Sequence, residues 1–161
     1  TLVHCMAHAR RYFEKAIGNH QEAAEYALKE IQKLYAVERR CREGGIKGEE
    51  RKQIREQESA PVVKNLESWM MDQYTKVNPS GSLGEAIAYS LKRWKGLTAF
   101  VGNGRLEIDN NLVENTIRPV AIGRKNYLFA GSHEAAQRAA MMYSLFACCK
   151  KNEVNPNEWL I

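Results

Sequence analysis

The residues of this sequence with the most chemical potential lie in Asp109-Asn110-Asn111-Leu112-Val113-Glu114-Asn115-Thr116-Ile117-Arg118-Pro119, followed closely by Gly123-Arg124-Lys125-Asn126. Glu114 and Arg118 stand four apart and share a face wherever the segment is helical. Two chemistries compete for the pair. A helix-borne carboxylate one turn from an arginine is most often a solvated ion pair worth well under about 1 kcal/mol. A carboxylate beside Arg118, Arg124 and Lys125 also suits a site that holds Mg²⁺ and a phosphodiester together, with the carboxylate on the metal and the cations on the phosphate.

A second group, His4, Cys5 and His8, has the atom types for zinc but no fourth ligand at suitable spacing. The four cysteines, Cys5, Cys41, Cys148 and Cys149, lack any CxxC spacing and are expected to be reduced thiols, three of them in helical or apolar surroundings.

The elements that must position these groups are mainly α, with one or two short strands. Residues 1–5 form a strand candidate, and Ala7 to Ile17 a helix that sets Arg10, Arg11 and Lys15 apart from Tyr12, Phe13 and Ala16. From Gln21 to about Arg42 an i, i+3, i+4, i+7 stripe runs through Ala24, Ala27, Leu28, Ile31, Leu34 and Tyr35, ended by Gly44 and Gly45. Glu49 to Glu58 is almost wholly charged and is expected to be solvated. Pro61 then interrupts, and Val62, Leu66, Trp69 and Met70 start a second amphipathic face, as in a kinked or broken long helix. Asn78-Pro79-Ser80-Gly81 is a loop, and Ser82 three residues before Glu85 has the form of a capping box. Leu83 to Lys95 carries Ile87, Leu91 and Trp94 at helical spacing, with Trp94 expected in the core. Asp109 is placed to cap a short helix stopped by Pro119 and Gly123. Asn126 to Ala130 is a second strand candidate. A long helix begins near Ser132 and runs to Lys151, with burial expected on more than one face, and Asn155-Pro156 starts a last turn.

With 161 residues, 44% of them apolar, the chain can build a core, and one domain is expected over 1–161, divided into a helical region 6–104 and a glutamate-bearing region 105–161. No apolar run approaches the roughly 20 residues needed to cross a bilayer, so no membrane partner is expected. A net charge of +5 and a pI of about 9.0 make a polyanionic partner plausible. Thr1 in place of methionine, set in an apolar run, points to a piece of something longer.

The run GRLEIDNNLVENTIRPVAIGRKN from Gly104 to Asn126, continued by Tyr127-Leu128-Phe129-Ala130-Gly131-Ser132, is similar to the C-terminal signature of the insertion-sequence-66 family of transposases. Cys5-Met6-Ala7-His8-Ala9-Arg10-Arg11-Tyr12-Phe13 resembles that family's C-x-A-H-x-R-R-x-F marker, and Asn155-Pro156-Asn157-Glu158-Trp159-Leu160 extends the likeness to the end of the chain.

The resemblance implies the C-terminal helical portion of an RNase H-like DDE transposase core, in which two aspartates and a glutamate hold Mg²⁺ or Mn²⁺ for DNA cleavage and strand transfer. The glutamate maps onto Glu114, as catalytic residue and metal ligand. His8, Arg10, Arg11, Arg118, Arg124, Lys125 and Asn126 become candidates for positioning DNA. Asn115 departs from the arginine that often follows the family's glutamate. Asp72 and Asp109, the only aspartates, do not match the family's catalytic pair, which is expected upstream of Thr1. One carboxylate holds a hard octahedral cation weakly, so this fragment is expected to bind no metal tightly and to be inactive alone. The resemblance further implies a cytoplasmic bacterial protein, DNA ends and target DNA as partners, and an oligomer in the active complex. The competing reading is a helical module that binds DNA or protein without chemistry. Either way, a part cut from a larger core should expose an apolar patch.

Overall fold

The computed structural model describes residues 3–124 and 130–161, which form two compact units divided between Asn110 and Asn111. Thr1, Leu2, Lys125, Asn126 and most of the second strand candidate lie outside the described residues.

The first unit contains α1 (Met6–Ala16), α2 (Gln21–Glu43), α3 (Gly48–Ile54), α4 (Ala60–Tyr74), α5 (Ser82–Lys92) and α6 (Trp94–Leu97). Helix α1 buries Met6, Ala9, Phe13 and Ala16, and α2 buries Ala24, Ala27, Ile31 and Leu34, both at helical spacing. These meet Leu66 and Met70 of α4, Leu83, Ala86 and Ile87 of α5, and Trp94, Leu97, Phe100 and Ile108 in one core. Trp94 is a core residue as expected. At the edge Tyr12 stacks on Tyr89 with ring centroids 4.3 Å apart, and the Arg93 guanidinium lies over Tyr89.

No strand occurs among the described residues, so the strand expected over residues 1–5 is not found at Val3, His4 and Cys5. Cys5 is extended (φ −94°, ψ 118°), but the flanking amides bond to separate places: His4 N–H to the Gly96 carbonyl, Met6 N–H to that of Ile108. A ladder needs successive bonds to one neighbouring strand. The Ser82 capping box also fails. Gly81 is the cap of α5, and Ser82 lies inside the helix with its hydroxyl buried and without a hydrogen-bond partner. The preceding loop folds back so closely that a Cβ on Gly84 would stand 2.2 Å from the Asn78 carbonyl oxygen.

The charged run 49–58 is not solvated throughout: Arg51 and Arg55 are buried, as is Ser59 just beyond it. Nor does Pro61 break the helix. Helices α3 and α4 are joined by a π-helical turn, Arg55–Ser59, in which the Ala60 N–H reaches the Arg55 carbonyl. Proline lacks an N–H and clashes with the carbonyl four residues back, here Gln57; the wider turn that ends just before it gives that carbonyl room.

The second unit contains α7 (Asn111–Gly123), α8 (His133–Lys151) and α9 (Pro156–Leu160). The Ser132 hydroxyl caps α8 by accepting the Ala135 N–H at 3.1 Å, and the side-chain carbonyl oxygen of Asn155 caps α9 ahead of Pro156. Pro119 does not stop α7, which runs on to Gly123. Burial of α8 on several faces is not found: Cys149 is its one buried residue, while Met141, Met142 and Phe146 are exposed. Leu112, Val113, Ile117 and Ile122 of α7 and Trp159 and Leu160 of α9 are exposed as well, the apolar surface expected of a part of a larger core.

Candidate functional site

Glu114 stands in the first turn of α7, exposed, where the positive end of the helix dipole favours a carboxylate. Arg118 follows one turn later on the same face, also exposed. Because the helix continues through Pro119, Arg124 falls just past its far end, roughly 15 Å along the axis from Glu114. The continuous helix therefore separates Arg124 from the carboxylate it was expected to accompany. Lys125 and Asn126 lie outside the described residues.

His8, Arg10 and Arg11 belong to α1 in the first unit. His8 is half-buried; Arg10 and Arg11 are exposed, with Arg10 paired to Glu14 at 3.1 Å. The marker around them divides by burial. Cys5, Ala9 and Phe13 point into the core, and the two arginines point away from it. Cys5 has a further task, its sulfur accepting the Asn110 N–H at 3.3 Å.

That bond is one of several that fasten residues 104–110, the first part of the C-terminal signature, to the rest of the first unit. Arg55, fully buried, uses all five of its N–H donors. Two go to the Glu38 carboxylate at 2.7 Å each, and three to the carbonyls of Phe100 (2.8 Å), Asn103 (2.7 Å) and Leu106 (2.9 Å). Arg51 grips Glu107 through two bonds of 2.9 Å and also bonds to Glu38. The hydrogen bonds from Arg51 hold the Glu107 carboxyl below the ordinary glutamate range, and its bonds to Glu107 and Glu38 raise Arg51 further. Gly104 meets this assembly at closest range: a Cβ there would lie 1.7 Å from the Gly48 carbonyl oxygen. Ile108 is buried, and the Asp109 carboxylate accepts the Tyr35 hydroxyl at 3.0 Å. Burial, reinforced by that carboxylate, raises the Tyr35 phenol and keeps it protonated.

The signature thus has a structural half and a half open to chemistry. Residues 104–110 anchor the chain, and α7 then carries Glu114 and Arg118 on an exposed surface. Sequence reasoning missed Glu38, Arg51, Arg55 and Glu107 entirely. The signal was their company: Arg51, Arg55 and Ser59 lie at intervals of four, leading into Leu66 and Met70 on the buried side.

Glu114 is the right kind of donor for Mg²⁺ or Mn²⁺, a hard oxygen on an exposed residue. A near-octahedral ion needs more oxygens than one carboxylate provides, so α7 fits as a contributor to a metal site and not as its whole.

The model of the family described as "Transposase IS66 family" matches residues 1–138. Three proteins of Sinorhizobium fredii (strain NBRC 101917 / NGR234) are similar over 99% of this chain. They are "Uncharacterized protein y4hP" (33% identical, with 31% of that protein covered), "Uncharacterized protein y4jD" (34%, 31% covered) and "Uncharacterized protein y4qI" (36%, 29% covered). The chain spans less than a third of the length of these relatives. No solved structure matches it.

Proposed function

The chain belongs to the IS66 family of transposases, and from that premise we propose that it is the glutamate-bearing part of a DDE catalytic core that cleaves and joins insertion-sequence DNA. The observation that carries this reading is the division of the signature. Residues 104–110 are buried or bonded into the first unit, whereas Glu114 and Arg118 are exposed together on α7. Glu114 is thus an exposed carboxylate inside a family signature, open to solvent and to a ligand. In this reading Glu114 is one of three carboxylate ligands, the two aspartates and the RNase H-like sheet being supplied by the rest of the protein. Bound Mg²⁺ or Mn²⁺ would supply Lewis-acid stabilisation of the phosphodiester. Arg118 would hold a backbone phosphate one turn from Glu114, while Arg124, Lys125 and Asn126, with His8, Arg10 and Arg11 of the first unit, would serve as further DNA contacts. The chain by itself has no strand-transfer activity. The protein works in the bacterial cytoplasm, as an oligomer on the two DNA ends.

The test is Glu114→Gln in the full-length protein, assayed for metal-dependent cleavage and for DNA binding separately. Loss of cleavage with binding intact is expected. Retained cleavage would show that Glu114 merely pairs with Arg118, and would favour the non-catalytic binding module.

A further inference from the structure

The first unit carries a recess of about 310 Å³ between α1 and α2, lined by Arg10, Leu28, Gln32, Tyr35 and Arg39. Its α2 wall is the stripe 28, 32, 35, 39, so one helix face supplies an apolar floor, an amide, a phenol and a guanidinium in line. Arg10 of α1 closes the opposite side. Arg39 is exposed and makes no ion pair with any described residue, whereas its neighbour Arg40 is paired with Glu58. Gln32 is exposed too. Glu14 is engaged with Arg10, and Asp109 accepts the Tyr35 hydroxyl. The remaining polar groups of the recess are the Arg39 guanidinium and the Gln32 amide, whose NH₂ can donate.

We propose that this recess binds a backbone phosphate of DNA, with Arg39 as its principal ligand, Arg10 as the second and Gln32 as a neutral donor. The guanidinium fork matches two phosphate oxygens, and a pair of forks facing each other across a recess can take both unesterified oxygens. The pair Arg10–Glu14 is a solvent-exposed i, i+4 contact that a phosphate can replace at little cost. DNA is favoured over an acidic protein segment because the chain carries +5 overall and belongs to a family whose work is on DNA. The inference rests on the DNA-facing part of the proposed function, and is independent of any role for Glu114.

The experiment measures binding of a fluorescently labelled duplex of arbitrary sequence, by anisotropy, from about 50 to about 200 mM salt. Removing one phosphate ligand should lower the log–log salt slope by about 0.9. Arg39→Gln is expected to lower it by that amount, Arg10→Gln to do the same, and Arg39→Lys to restore the slope with weaker binding. Arg40→Gln removes the same charge one residue away, and should leave the slope unchanged. An equal fall in Arg40→Gln would reduce the effect to net charge and overturn the proposal. So would an unaltered slope in both Arg39→Gln and Arg10→Gln, which would leave DNA binding itself standing. A wild-type chain with no salt-dependent binding would remove the recess and the DNA contacts of the proposed function together.

Discussion

Replacing Arg55 with methionine isolates the buried arginine assembly. The guanidinium is fully buried, and its partner Glu38 is 1% exposed. The substitution removes both bonds to Glu38 and all three to the carbonyls of Phe100, Asn103 and Leu106. Removing one partner of a buried ion pair costs about 3–5 kcal/mol, because the other charge is left in a poorly solvating interior. Arg51 still neutralises part of Glu38, which lowers the figure. The stranded carbonyls raise it, each by less than the roughly 1–3 kcal/mol of a fully dry orphan, since water can reach those of Asn103 and Leu106. The two corrections oppose, and about 3–5 kcal/mol remains. A domain of this size is stable by about 5–15 kcal/mol, so the loss is a large share of the total. With a urea m-value of about 2 kcal/mol/M, the midpoint should fall by roughly 2 M. Helical circular dichroism across a urea titration measures it. Arg40→Met is the control, since that arginine also pairs with a glutamate but has a side chain 57% exposed, and its midpoint should stay at the wild-type value. Equal midpoints for Arg55→Met and wild type would refute the claim that the assembly holds residues 100–106.

Two further predictions concern the same region. Gly104→Ala forces a Cβ against the Gly48 carbonyl and should destabilise by at least about 1–3 kcal/mol, whereas Gly102→Ala enters open space and should be nearly neutral; paired thermal melts compare them, and equal melting temperatures would contradict the close approach. The Glu107 carboxyl is held low by Arg51, so its contribution to stability is complete above the unfolded glutamate value near about 4.3 and is lost as pH falls through the lower folded value. Acid melts should therefore show a shallower pH dependence for Glu107→Gln below pH of about 4.3 than for wild type, and identical profiles would remove the linkage.

How much was legible in the sequence follows from which forces leave a local imprint. The helices announced themselves because apolar burial repeats at 3.6 residues: Ala24, Ala27, Ile31 and Leu34 needed no partner to be read as a buried face. The helix starts near Ser132 and at Asn155-Pro156 were legible because their signals are local too, a side chain that can bond to backbone two or three residues on and a proline suited to the first turn. Partnerships across long separations left no such trace. Glu38, Arg51, Arg55 and Glu107 are spread over the chain, and nothing local distinguishes a buried arginine from a solvated one. The capping box at Ser82 failed because a neighbouring loop, not the local pattern, decided the helix start. Pro119 misled in the other direction: the α7 backbone absorbed it. Of the candidate site, Glu114 came from a signature and its exposure from the structure, while Arg39 and Gln32, flanking a stripe already read as structural, had no signal before α1 and α2 were seen side by side.

The π turn at Arg55–Ser59 has a consequence for the rod in which it sits. From Arg51 to Met70 a regular α-helix would wind about 100° beyond five full turns, enough to carry Met70 off the side that Arg51 faces. The extra residue taken up in the wider turn cancels that advance. Arg51, Arg55, Ser59, Leu66 and Met70 all come to lie on the inner side, although the first part of the rod is tuned to carboxylates and carbonyls and the last part to hydrocarbon. The turn acts as a phase correction: it lets one uninterrupted helix keep two unlike partners in step.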